Sequence, residues 1–118
     1  MLLYKNLSQT MQHRDLHAAR WKQLSLISQM TNIGSEVIRA LQWRAKNNPV
    51  YAHEANLRAL ELFDLTLACT SRKSELTEIS RARELWLDFF VGNNIYGQTE
   101  QQWKKYFLSF NYFAQIAK

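Results

Sequence analysis

Apolar residues recur along this chain at intervals of three and four, the spacing that lines one face of an α-helix. Leu24, Ile27, Met30, Gly34, Val37, Ile38 and Leu41 share one face of a first helix, which is expected to begin between Asp15 and Gln23. Pro49 suits the first turn of a second helix, where its missing N–H costs nothing, and Ala52, Ala55, Ala59, Leu60, Phe63 and Leu67 form its stripe. The small side chains of that stripe permit close approach of a neighbouring backbone. A third helix places Leu76, Ile79, Trp86, Leu87 and Phe90 on one side and ends at Gly92, a residue suited to the left-handed position beyond a C-terminus. Thr99-Glu100-Gln101-Gln102 reads as a capping box that starts a fourth. Its apolar residues Trp103, Tyr106, Phe107, Phe110, Phe113, Ala114 and Ala117 share an arc of about 120°.

Three polar stretches separate these segments: Asn47-Asn48-Pro49, Thr70-Ser71-Arg72-Lys73-Ser74 and Gly92-Asn93-Asn94-Ile95-Tyr96-Gly97. Short connections between the first three helices make them antiparallel neighbours. The pattern therefore predicts an all-α, antiparallel up-down-up-down four-helix bundle, a single domain over 1–118 with residues 1–14 as an N-terminal arm. Gly34 lies in a run of weak helix formers, Thr31-Asn32-Ile33-Gly34-Ser35, which either breaks the first helix in two or leaves it continuous. Continuity is the favoured reading, because Gly34 falls on the apolar stripe and can admit a close helix crossing.

Composition narrows the class. The 118 residues are 47% apolar with one Pro and three Gly, enough for one core and too little turn material for a β-sandwich. Cys69, the single cysteine, excludes an internal disulfide. The opening Met1-Leu2-Leu3-Tyr4-Lys5-Asn6 lacks the apolar stretch of a secretory signal, and Leu85-Trp86-Leu87-Asp88-Phe89-Phe90-Val91 is too short for a bilayer. A cytoplasmic protein without a membrane span is the expectation.

No catalytic or cofactor motif stands out in the chain. Di-iron bundles need Glu-x-x-His on two helices, but Thr10, Arg14 and Val50 stand three residues before His13, His17 and His53. His13 and His17 have an i, i+4 spacing, yet Arg14 occupies the place of the glutamate in the zinc-protease signature, so an exposed polar arm is the simpler reading. Helical-bundle ribonucleases that set an Arg five to seven positions before a His are not matched either: Asn6, Leu7 and Ser8 stand there for His13, Thr10, Met11 and Gln12 for His17, and Lys46, Asn47 and Asn48 for His53. His53, sixteen residues before Cys69 on the same helix, is about 24 Å away and cannot serve it as a base. With Gly34, Gly92 and Gly97 dispersed, no phosphate loop is available. A non-enzymatic protein with no metal and no cofactor is expected.

Arg83 falls among Ile79, Trp86 and Phe90 in the third helix's apolar arc, and a buried guanidinium needs a partner. Asp64, near the edge of the second helix's arc, is the expected one, in an internal ion pair that fixes helix register.

Charge is distributed unevenly. Residues 1 to 50 hold Lys5, Arg14, Arg20, Lys22, Arg39, Arg44 and Lys46 against Asp15 and Glu36, which accounts for the whole net charge of +5. Elsewhere the signs interleave, as in Glu78 with Arg81. A basic strip containing an exposed aromatic can hold phosphates by Coulomb attraction and stack a base. Arg20, Lys22, Arg39, Trp43, Arg44 and Lys46 are thus the candidate RNA- or DNA-binding residues, a solvated face being the plainer alternative. Leu85 and Phe89 on the third helix, with Leu108 and Tyr112 on the fourth, are expected on faces turned away from the core. Apolar flanks on two sides suggest a homo-oligomer built from neighbouring copies, unless the N-terminal arm covers them.

The stretch Asn32-Ile33-Gly34-Ser35-Glu36-Val37-Ile38-Arg39, continued by His53-Glu54-Ala55-Asn56-Leu57-Arg58-Ala59-Leu60-Glu61-Leu62, resembles the 23S rRNA intervening-sequence protein superfamily. That superfamily includes the accessory variability proteins of diversity-generating retroelements, and the resemblance spans about Leu24 to Ala117. Here Glu36 stands one position later than in the family's Asn-Ile-x-Glu-Gly pattern and is followed by Val37. The resemblance implies a homopentamer of four-helix bundles, contact with nucleic acid and a reverse transcriptase through basic surfaces, and Arg39, Arg44 and Lys46 as the positions to test. A structural or adaptor protein acting through homo-oligomerisation and protein contacts, without nucleic acid, is the competing expectation.

Overall fold

The computed structural model describes residues 17–116, with side chains through Tyr112. The described residues are helical and contain no strand. A helical segment over 17–22 precedes α1 (Leu26–Ala45), α2 (Pro49–Cys69), α3 (Lys73–Phe90) and α4 (Glu100–Ile116). The N-terminal arm lies outside the described residues, as do the side chains of Phe113 and Ala114, and Ala117.

Each boundary has a local cause. The first helix starts later than the periodicity suggested, because Ser25 is extended and its hydroxyl accepts the Ser28 N–H at 3.1 Å, capping a new helix. Asn47 closes α1 in a left-handed conformation, φ 59°. Asn48 then caps α2 by accepting the Tyr51 N–H at 3.0 Å, with Pro49 in the first turn. The capping box forms on α4: Gln102 N–H donates to the Thr99 hydroxyl, and Thr99 N–H donates to the Gln102 side chain at 2.8 Å. Gly92 departs from its expected role and is not left-handed. Positive φ falls at Asn94 and Gly97 instead, because the Asp88 carboxylate accepts the Ile95 and Tyr96 N–H groups and pulls the loop into a longer turn.

α1 is the central element, packed mainly on α2 and then on α4, while α3 lies on α2. Cross-links along α1 and α2 run in opposite directions, Gln29 to Cys69 near one end and Trp43 to Tyr51 near the other, so these two helices are antiparallel. α1 is continuous through Gly34. A Cβ built there would stand 2.7 Å from the Phe107 Cβ, so the missing side chain is what lets α4 cross so closely.

The core joins Met30, Ile33, Val37, Ala40 and Leu41 of α1 to Ala55, Ala59 and Phe63 of α2, Ile79, Ala82 and Trp86 of α3, and Trp103 and Phe107 of α4. Two buried polar residues on the α2 stripe were not foreseen. Asn56 accepts the Trp86 indole N–H at 2.7 Å, and Thr66 accepts that of Trp21 at 2.9 Å. Each satisfies a donor that burial would otherwise strand. Gln29, also buried, donates to the Trp21 and Leu24 carbonyls and fastens the leading segment to α1.

Candidate nucleic-acid interface

Arg39 and Trp43 of α1 and Lys46, which caps its C-terminus, lie within about 60° on one outward side, with Arg39 and Lys46 about 10 Å apart along the axis. The Lys46 ammonium sits 5.2 Å from the centre of the Trp43 ring, and Tyr51 of α2 meets that ring edge-on at 4.9 Å. Trp21, Trp86 and Trp103 are buried, which leaves Trp43 as the indole with open surface.

Arg39 is tied at its near end. Its guanidinium donates to Glu36 at 2.7 Å, and the same carboxylate accepts from Arg58 of α2 at 3.1 Å. Two cations share one carboxylate, so the bridge keeps one positive charge while pinning α1 to α2. Both arginines stay half-exposed whereas the Glu36 side chain is only 12% exposed, so the positive groups face outward.

The structure thus joins Arg39, Trp43 and Lys46 and adds Tyr51 and Arg58. It separates Arg44, which points about 140° away from Arg39 around α1 and lies over the rings of Phe89 and Phe90, 5.1 and 4.6 Å from their centres. Arg20 and Lys22 are exposed on the leading helical segment, whose His17 and Trp21 line a groove of about 370 Å³ with Arg39 and Arg58. Arg20 and Lys22 themselves do not line it.

Tyr51 and Arg58 carried a signal in the sequence. Trp43 and Tyr51 are each four residues from Asn47, and Glu36 and Arg58 are each eleven from it. In an antiparallel pair folded at Asn47, equidistant positions meet. Reading the two helices separately hides this.

Arg83 and Asp64 do meet, Nε to Oδ1 at 2.9 Å, but at the surface: their side chains are 28% and 61% exposed. A long arginine stem lets the guanidinium reach solvent from within an apolar arc. Such a pair is worth at most about 1 kcal/mol, so it is no buried register lock.

The expected apolar flank on α3 is also corrected. Leu85 and Phe89 pack partly buried against the core, and Phe89 lies 6.0 and 6.4 Å from Trp86 and Trp103. Trp103 of α4 meets α3 on that side at Phe89. Leu108 and Tyr112 do stand exposed on α4, and Val91, Ile95 and Tyr96 are exposed beside the α3–α4 loop.

Among the described residues no helix is long and apolar enough to cross a membrane. No protein-family model matches this chain, and neither does any curated protein or solved structure.

Proposed function

We propose that this chain is a non-enzymatic up-down-up-down four-helix bundle that binds RNA or DNA through the outward face of α1. The observation that carries the reading is the row formed by Lys46, Trp43 and Tyr51 near the α1–α2 turn and by the outward ends of Arg39 and Arg58 farther along the same pair of helices. Cations spaced along a helix attract phosphates, and the aromatic pair offers ring surface for a base. The resemblance to the intervening-sequence superfamily supports the same face, and it adds a homopentamer and a reverse-transcriptase partner to the proposal.

The test is salt-dependent binding of a labelled 20-nucleotide RNA. Arg39→Ala with Lys46→Ala should weaken binding whatever the sequence and reduce the steepness of log K against log salt by about 1.5. Arg58 is left in place so that Glu36 keeps a partner. An unchanged affinity and slope would reject this face.

The exposed Leu108 and Tyr112 favour a second reading, an adaptor whose α4 joins copies of the chain. Light scattering should then give a mass above the 14.0 kDa of one chain, reduced by Leu108→Glu. A monomeric mass for the unsubstituted protein would exclude it.

A further inference from the structure

α3 and α4 touch through rings rather than along their backbones. Trp86 meets Trp103 at 5.5 Å, and the Tyr106 hydroxyl donates to Glu78 at 3.4 Å some two turns away. Between these contacts the helices diverge around a cleft of about 290 Å³. Its floor is Ala82, Leu85, Trp103 and Tyr106, and its rim is Glu78, Arg81, Gln98 and Gln102. A closed cavity of about 150 Å³ holds a benzene ring, so this space suits about two rings.

The rim carries one cation, Arg81, and one carboxylate, Glu78. Arg81 makes no ion pair among the described residues, although Glu78 stands one turn before it. Glu78 is turned to the Tyr106 hydroxyl instead. Burial, and then the charge and hydrogen bond of Glu78, hold that phenol above its ordinary value, so it remains a neutral donor to Glu78. The Gln102 side-chain oxygen is taken by Thr99 N–H, leaving its amide donors to offer. Trp103, one wall of the cleft, carries the buried side-chain donor that has no acceptor among the described residues. Donors therefore outnumber acceptors around an apolar floor.

We propose that the α3–α4 cleft binds a small two-ring aromatic carboxylate, its rings on Ala82, Leu85, Trp103 and Tyr106 and its anionic end on Arg81. This site is separate from the α1 face and does not depend on nucleic-acid binding. Its short walls, about two turns of each helix, suit a small molecule better than a partner helix.

Titration of the full-length 15N-labelled protein with 2-naphthoate and, separately, with neutral 2-naphthalenemethanol tests this. Both should shift the Trp103 indole resonance saturably, with naphthoate bound about tenfold more tightly. Arg81→Gln should erase that preference while keeping the alcohol bound. Leu85→Trp, which fills the cleft, should abolish both, and Ala82→Val replaces it if circular dichroism shows loss of helix. Absence of a saturable shift, equal affinities in the unsubstituted protein, or a preference that survives Arg81→Gln would each overturn the proposal.

Discussion

Replacing Trp86 by Ala should lower the free energy of unfolding by about 3–5 kcal/mol, enough to unfold much of a marginal domain at room temperature. Trp86 is fully buried, stacks on Phe90 at 4.8 Å, and meets Trp103 edge-on. It links α3 to both α2 and α4, so its loss leaves a cavity that none of the three can fill alone. Trp86→Phe separates the hydrogen bond from the bulk. That change keeps a ring but strands the side-chain oxygen of Asn56, a residue only 2% exposed, at a cost of about 1–3 kcal/mol beyond lost packing. Adding Asn56→Leu should recover part of the deficit, since neither partner then remains polar. Denaturant unfolding of the four proteins in this cycle should give a coupling of about 1–2 kcal/mol. Additive effects would show that Asn56 does not answer the indole.

Gly34→Ala should destabilise the fold by about 1–2 kcal/mol, contrary to the usual gain from replacing a helical glycine. In an isolated helix the change is worth about 1 kcal/mol in favour of Ala. Here the added Cβ would lie 2.7 Å from the Phe107 Cβ and 2.9 Å from two further Phe107 atoms, so α4 must retreat. Overpacking of this kind costs about 1–3 kcal/mol, and the loosened contacts of Phe107 with Phe63 and Trp103 add to it. Phe107→Leu should not rescue the variant, because the closest clash is with a Cβ that Leu retains. A raised melting temperature for Gly34→Ala would mean that α1 and α4 are further apart than described.

Both effects arise where the helices meet, and the sequence foreshadowed only one of them. Gly34 interrupted a stripe of larger residues, so a close crossing was legible, though not which helix would cross. Asn56 was not legible as a core residue. Its polarity argues for exposure, and only the position of Trp86 across the interface makes burial favourable. The same limit applies to the candidate interface. Trp43 and Lys46 could be placed on one face by counting turns, whereas Tyr51 needed the antiparallel fold at Asn47. Arg44 looked equivalent to its neighbours until two rings of α3 were found beneath it. Arg83 fell within an apolar arc, but a long flexible stem allowed its charge to leave that arc.

The chain by itself determines where helices begin and end and which side of each is apolar. Capping, backbone preference and three-to-four spacing act over a single turn, so Thr99 with Gln102, Asn48 with Pro49, and the small residues of α2 express them directly. The tertiary structure alone decides where α4 lies against α1 and α3. That placement partly buries Phe89, exposes Leu108 and opens the cleft beside Arg81. It depends on ring and methyl contacts between residues tens of positions apart, each weak and non-directional, and their sum cannot be read from any one helix.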